Sequence, residues 1–218
     1  MLEQLSFYGS DFIGVCARAG ERYAVVGRMV PDSVIEEIEH ILSVEVLKTT
    51  IANTNIVGSM IAMNSNGMMI NELINPEEEK KLREAELRIG HIGPKFNAAG
   101  NMILVNDKRA LISPRLSKNV MKGIEDTFCV EVVREDVGLY NVGMAFSLSN
   151  KGVLCHPDVS DETLRKLEEL FGVRGGWGTV NHGFPFVGSG VLCNSKSVVI
   201  GKRTTTVEIT RIQDAFDV

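Results

Sequence analysis

A glycine returns along this chain at a nearly constant interval. The intervals are 44, 42, 43 and 45 residues, and the glycines are Gly14, Gly58, Gly100, Gly143 and Gly188. The stretch from the last of them through both termini back to the first is 44 residues long. A fixed period of this size is typical of repeated supersecondary units. Because the period also closes through the chain ends, it predicts a ring of five units.

The period divides the chain into one closed domain, 1–218. Its units are 14–57, 58–99, 100–142, 143–187, and 188–218 together with 1–13. With 218 residues, of which 44% are apolar, the chain can bury a sizeable core. We therefore expect the last unit to be assembled from both ends of the chain.

The third unit shows the plan of all five. After Gly100, N-M-I-L-V and A-L-I predict the two strands of a hairpin, because N-D-K-R between them has turn chemistry. Ser113 and Pro114 predict a helix start, with the serine as N-cap. An apolar residue then recurs at every fourth position, and C-V-E-V-V predicts a third strand. The predicted order is strand, strand, helix, strand.

The other units repeat this plan with different residues. Their helix starts are predicted at Pro31-Asp32, Asn75-Pro76, Ser160 and Thr206. The fifth unit has no segment for a third strand after its helix. L-E-Q-L-S-F-Y near the N-terminus is predicted to supply that strand, which would close the ring and cover a sheet edge.

Composition excludes several classes of function. A net charge of −5 argues against binding driven by bulk attraction to phosphate. The four cysteines form no C-x-x-C motif, so we expect reduced, mostly buried thiols rather than a zinc site or disulfides. The sequence shows no signal peptide and no apolar run of the ~18 residues that a membrane span needs. We expect a cytoplasmic protein without membrane contact, metal or cofactor.

Four motifs follow one another on the glycine period: G-T-V-N-x-G at 178–183, V-G-S-G-V-L-C-N-S-K at 187–196, Gly201 with Thr204-Thr205, and the string from Ala99 to Pro114. Together they resemble the translation initiation factor 6 family, most closely its archaeal members, over essentially the whole chain. The resemblance implies the pentein fold, an α/β (α+β) propeller of five units about a pseudo-fivefold axis. It also implies binding to the large ribosomal subunit, which keeps the small subunit from joining it, and a part in large-subunit maturation.

The pentein fold also hosts enzymes that act on guanidino groups through a cysteine in the last unit. Cys193 lies in that unit, with His156 and His182 in the fourth, so a guanidino hydrolase or transferase is the alternative. Such a substrate needs carboxylates near the axis, and the strands after the ring glycines contain no Asp, Glu or His. We also expect no cation in those strands to activate Cys193. These points favour a binding protein in which Cys193 is a buried apolar residue.

The hairpin turns should all emerge on one side of the ring, and loops on a rigid frame commonly carry binding residues. Asparagine and lysine suit hydrogen bonds to RNA phosphates and protein backbone. The predicted exposed members are Asn64, Asn66, Asn106, Lys108, Asn150, Lys151, Asn194 and Lys196. That the asparagines serve turn geometry alone is an equally open alternative.

A second candidate surface begins at the residues that directly follow the ring glycines. These are Ser59, Asn101 and Ser189, and Asn101 is the best single candidate because it is polar between a glycine and an apolar strand. The expected partner is the large subunit, with both ribosomal-protein and rRNA contacts, and the protein is expected to be a monomer. His182 stands where the family often has arginine, so a cationic contact there would depend on pH or be missing.

Overall fold

A computed structural model of the protein describes residues 1–93, 95 and 98–218. The described residues form five three-stranded sheets. The strands are β1 Leu2–Leu5, β2 Ala17–Ala19, β3 Tyr23–Gly27, β4 Glu45–Thr49, β5 Ala62–Met63, β6 Gly67–Asn71, β7 Arg88–Ile92, β8 Ile103–Val105, β9 Arg109–Ile112, β10 Glu131–Arg134, β11 Phe146–Leu148, β12 Gly152–Cys155, β13 Arg174–Trp177, β14 Val191–Cys193 and β15 Val198–Gly201.

Long and one-turn helices alternate along the described chain. The α-helices are α1 Ile13–Cys16, α2 Asp32–Leu42, α3 Val57–Met60, α4 Pro76–Leu82, α5 Ala99–Met102, α6 Met121–Phe128, α7 Val142–Ala145, α8 Asp161–Phe171 and α9 Thr206–Phe216. Short 3-10 turns cover Arg83–Ala85, Lys118–Val120 and Val187–Ser189.

Every unit follows the same plan. In the first, β2 pairs antiparallel with β3, and α2 then leads to β4, which pairs parallel with β3. The other four sheets have the same order, with the second strand of the hairpin in the middle. This confirms the predicted strand–strand–helix–strand unit and the five-unit, pentein-like fold.

The N-terminal strand completes the fifth unit, as predicted. β1 pairs parallel with β15, in a register that sets Leu2 opposite Val198 and Leu5 opposite Gly201. The strand therefore has the position that β4 has in the first unit. The unit boundaries and the single domain inferred from the glycine period stay predictions.

The apolar cores lie between neighbouring units. One buried cluster joins Ile38 and Leu42 of α2 to Leu192 and Val199 of the fifth unit. The other four clusters likewise combine side chains from adjacent units. Because each unit buries its apolar surface against its neighbours, closing the ring removes the two faces that an open array would leave exposed.

The five ring glycines contact one another around the axis. A β-carbon at Gly58 would overlap the carbonyl oxygen of Gly14, and one at Gly14 would overlap that of Gly188. Each of the other ring glycines lies in the same way against the carbonyl oxygen of the preceding one, so the chain of contacts closes into a ring. Only a hydrogen fits in place of the side chain, which is the physical reason for the glycine period.

Two details differ from the sequence prediction. The ring glycines lie in one-turn helices rather than directly before strands, so the inner strands are short. Ser113 does not cap a helix, because it is buried and its Oγ accepts from the backbone N–H of Arg115. Ser117 caps the 3-10 turn instead, and α6 begins only at Met121.

Gly143→Ala should lower the free energy of unfolding by at least about 2–3 kcal/mol, because the new methyl group overlaps the backbone of Gly100. Gly123→Ala is the matched control. Gly123 lies in α6, and outside the backbone of that helix no atom lies within 4 Å of an added β-carbon, so alanine should stabilise by about 0.5–1 kcal/mol. Urea unfolding of both variants measures the difference, and equal shifts would contradict the role of the glycine contacts.

Candidate functional site

The ring has two ends. Each inner strand starts at a one-turn helix and ends at a hairpin turn, so these features lie at opposite ends. We call the end with the ring glycines the glycine face. We call the other end the turn face; it carries the hairpin turns 20–22, 64–66, 106–108, 149–151 and 194–196.

On the turn face, both polar side-chain atoms of Asn64 form hydrogen bonds within the protein. Its Nδ2 donates to the carbonyl oxygens of Asn106 at 3.2 Å and Phe128 at 3.0 Å, the latter at the end of the helix of the next unit. Its Oδ1 accepts from the backbone N–H groups of Asn66 and Gly67. The side chain therefore sets its own turn and also caps a neighbouring helix.

The same arrangement recurs in two other turns. Asn106 Nδ2 donates to Phe171 O at 3.3 Å, and Asn194 Nδ2 donates to Leu42 O at 2.8 Å. Like Asn64, both are buried, with 4% and 3% of their surface exposed. The expectation that these three asparagines are exposed is wrong, because their amides bond to helix ends in the next unit.

Several other predicted turn residues also have partners within the protein. Asn66 Nδ2 donates to Phe128 O, Lys108 Nζ to Gly172 O and Lys196 Nζ to Ser43 O. Lys151 is exposed, and no hydrogen bond or ion pair joins its ammonium group to a described residue. Most of the polar groups on this face therefore hold helix ends, where cations and donors meet the free carbonyls.

Neighbouring turns are tied together across the mouth of the axis. Asp107 accepts from the backbone and hydroxyl of Ser65, and it accepts from the amide of Asn150 at 2.7 Å. That amide also donates to Glu21 at 3.1 Å, which in turn accepts from Ser195. All five turns thus emerge on one side, as predicted, but their tips bond to one another.

A small cavity lies on the axis beneath these turns. Its volume is about 50 Å³, far below the several hundred Å³ of a usual ligand pocket. Arg18 and Cys193 are among its lining residues. It has room for a few water molecules but not for an amino-acid-sized substrate.

The thiol of Cys193 is kept protonated by its surroundings. Burial raises its pKa to about 11, and the hydrogen bond with Ser147 and the charge of Arg18 only partly oppose this effect. The expectation of no cation near Cys193 was wrong, since Arg18 belongs to an inner strand. Desolvation nevertheless dominates, so this thiol is a poor nucleophile at neutral pH.

The glycine face carries nearly all the large exposed apolar side chains of the described residues. They lie in loops and at the ends of helices and strands at this end of the ring, and they are Tyr8, Phe12, Met29, Ile56, Leu73, Tyr140, Trp177 and Val207. Phe12 packs edge-to-face on Phe184 with ring centroids 4.9 Å apart. Met1 is the one such residue at the other end. Exposed apolar area concentrated in this way is typical of a protein–protein contact surface.

The residues that follow the ring glycines differ in accessibility. Ser59 and Asn101 are partly exposed, and among the described residues none bonds to the side-chain amide of Asn101. Ser189, by contrast, is buried, and its Oγ donates to Phe186 O at 2.6 Å. Of the predicted residues on this face, Ser59 and Asn101 therefore remain available to a partner.

Two buried glutamates hold the tight loops of the glycine face. Glu208 accepts from the backbone N–H groups of Gly183 at 2.8 Å and Thr205 at 2.7 Å, and from the hydroxyl of Thr179. His182, which is exposed and has a left-handed backbone with φ of +69°, donates its N–H to the same carboxylate. Burial raises the pKa of Glu208, but these bonds outweigh it and lower the pKa to about 2.

Glu78 repeats this arrangement in the second unit. Its carboxylate accepts from the backbone N–H groups of Ala52 and Asn53, which also have left-handed conformations. It closes a capping box with Asn75 at the start of α4. Burial is again outweighed by the hydrogen bonds, which lower the pKa of Glu78. Sequence reasoning missed both residues, although a glutamate three positions after a capping residue is a recognisable signal.

Comparison with known proteins gives a consistent result. The model of the eIF-6 family matches residues 2–215. Translation initiation factor 6 of Pyrococcus abyssi is 38% identical over 222 residues, which cover 99% of this chain and 98% of that protein. The proteins of the same name from Methanosarcina mazei and Thermoplasma acidophilum are 38% and 35% identical, over 99% of this chain and 98% and 100% of their own length.

No helix in the described part of the chain has both the length and the apolar character needed to cross a bilayer. Within the same residues, no three His, Cys, Asp or Glu side chains come together in a way that could hold a metal ion.

Asn106→Ala should destabilise the protein by about 2–4 kcal/mol, because it removes an inter-unit hydrogen bond and leaves buried backbone groups unpaired. Asn119→Ala is the control: Asn119 is exposed and no described residue bonds to its side chain, so the change should stay within about 0.5 kcal/mol. Thermal and urea unfolding measure both. A loss below 1 kcal/mol for Asn106→Ala would show that the amide is not an inter-unit link.

Glu208→Gln should cost about 2–3 kcal/mol at pH 7, since it weakens hydrogen bonds to a charged group. The folded-state pKa of about 2 lies below the ordinary value of 4.5, so the ionised form stabilises the fold above pH 4.5. That contribution is lost as the pH falls from 4.5 towards 2, and the gap between wild type and variant should close over this range. Glu37→Gln is the control: Glu37 is exposed, so the change should stay within about 0.5 kcal/mol at pH 7.

Proposed function

The chain belongs to the eIF-6 family, and we propose that it is an initiation factor that binds the large ribosomal subunit and prevents premature association with the small subunit. The observation that carries this proposal is the similarity to archaeal translation initiation factor 6 over nearly the full length. We place its action in the cytoplasm, as a monomer, in initiation and in maturation of the large subunit.

A rigid ring suits a blocking factor. Each unit is held to its neighbours by buried clusters, by the glycine contacts and by bonds between the turns. A compact body of 23.9 kDa that sits on the joining surface of one subunit excludes the other sterically. Such blocking requires a fixed shape and a docking surface, and it requires neither nucleotide nor metal.

We propose that the glycine face is the docking surface. On the turn face, the asparagines and two of the lysines form hydrogen bonds within the protein. The glycine face, by contrast, presents the apolar side chains and the unbonded side-chain amide of Asn101. An apolar surface with a few polar groups fits a ribosomal protein better than bare rRNA. The net charge of −5 supports the same preference.

A guanidino enzyme is the less supported alternative. The family is that of a non-catalytic factor, and the axial cavity of about 50 Å³ is too small for such a substrate. The raised pKa of Cys193 and the buried position of the thiol also disfavour it as a nucleophile. Citrulline or ornithine formation that is abolished by Cys193→Ala would support the enzyme instead.

Sedimentation of the protein with separated subunits tests the proposal. Wild type should sediment with the large subunit, and Asn101→Ala should weaken that binding by about 1–3 kcal/mol without lowering the melting temperature. Lys151→Ala on the turn face is the control and should bind like wild type. Weaker binding of Lys151→Ala with normal binding of Asn101→Ala would assign docking to the turn face, and sedimentation with the small subunit would contradict the function.

A further inference from the structure

Arg18 links three units at the axis. Its side chain starts from β2 in the first unit, and its Nη2 donates to the carbonyl oxygens of Gly58 and Gly100, each at 3.0 Å. Its Nε donates to Ile61 O at 3.2 Å. One guanidinium from the first unit therefore connects α3 of the second unit with α5 of the third.

A cation suits this position because carbonyl oxygens of two one-turn helices meet there. Two nitrogens of one planar donor group bond to the three acceptors, which an arginine matches and a lysine, with a single nitrogen, does not. Burial lowers the pKa of Arg18, but an arginine side chain remains charged at neutral pH.

The bonded glycines are direct neighbours of the two available docking residues. Ser59 follows Gly58 and Asn101 follows Gly100 in the same helical turns. Since no hydrogen bond joins the Asn101 side-chain amide to a described residue, no such bond fixes it apart from the backbone of α5 that carries it. Besides the contacts between ring glycines, the guanidinium of Arg18 holds this backbone from the axis.

We propose that Arg18 is a positioning residue for docking: it holds α3 and α5 so that Ser59 and Asn101 are preorganised for the large subunit. This inference rests on the proposed function. Preorganised groups bind more tightly because less conformational freedom is lost on association.

The effect should be confined to two of the five units. Arg18 lies four positions after the ring glycine of its unit. The residues at the same position in the other units are uncharged: Ala62, Leu104, Ser147 and Leu192. Ser147 is the useful comparison, because its Oγ contacts Cys193 and bonds to no ring glycine. Ser147→Ala therefore alters the same axial layer without touching α3 or α5.

Hydrogen exchange of the free protein tests the positioning directly. The amides of Ile61 and Met102, bonded to Val57 O and Ala98 O, should exchange faster in Arg18→Met, and less so in Arg18→Lys. Ser147→Ala should leave them unchanged. Should Arg18→Met fail to fold, Arg18→Lys keeps the test available. Unchanged exchange in every foldable Arg18 variant would overturn the proposal.

Binding to the large subunit then tests the functional part. Arg18→Met should weaken binding about 5- to 20-fold, and Arg18→Lys should recover part of the loss. In an Asn101→Ala background the same Arg18 substitution should cost less, since the part of its effect that passes through Asn101 is already lost. A fully additive double mutant, or normal binding by Arg18→Met, would overturn the proposal.

The two proposals fail in different ways. If wild type does not bind the large subunit at all, the proposed function is wrong, and the inference about docking falls with it. If wild type binds and the Arg18 variants bind equally well, only the inference about Arg18 is wrong.

Discussion

The structure depends on the close contact between successive ring glycines. At each step a backbone carbonyl occupies the space that a β-carbon of the next glycine would fill, and the fifth step returns to the first. This contact fixes how near each unit approaches the axis, and therefore which side chains meet in the clusters between units. The N-terminal strand paired with β15 belongs to the same constraint, because the fifth unit has no third strand without it.

The two ends of the ring then take different roles. At the turn face, asparagine amides and lysines donate hydrogen bonds to the helix ends of the next unit, so these polar groups hold the ring together. At the glycine face, apolar side chains remain uncovered although the protein buries similar side chains efficiently elsewhere. Exposing apolar side chains to water is unfavourable and does not stabilise the fold. Their exposure is understandable if a partner covers this surface.

Much of this fold could be predicted from the sequence, because period, turn chemistry and helix caps are local or regular signals. The helix starts at Asp32, Pro76, Asp161 and Thr206 and the N-terminal closure agree with the structure. The burial of Asn64 could not be foreseen: a turn asparagine looks the same whether its amide meets water or a carbonyl 64 residues away. Arg18 can be read from the inner-strand sequence, but its bonds could not be foreseen for the same reason, since their acceptors lie up to 82 residues further along the chain.

Burying ionised groups is costly unless hydrogen bonds compensate, so their placement is informative. Both buried glutamates, Glu78 and Glu208, bind the backbone of left-handed loops on the glycine face, and Arg18 binds the one-turn helices of that face. Neutral hydrophobic packing could not replace them, because it supplies no hydrogen bond to the backbone groups that they satisfy. The charges therefore stabilise an irregular backbone where regular secondary structure ends, and that irregular backbone carries Asn101 and the apolar side chains of the docking surface that we propose.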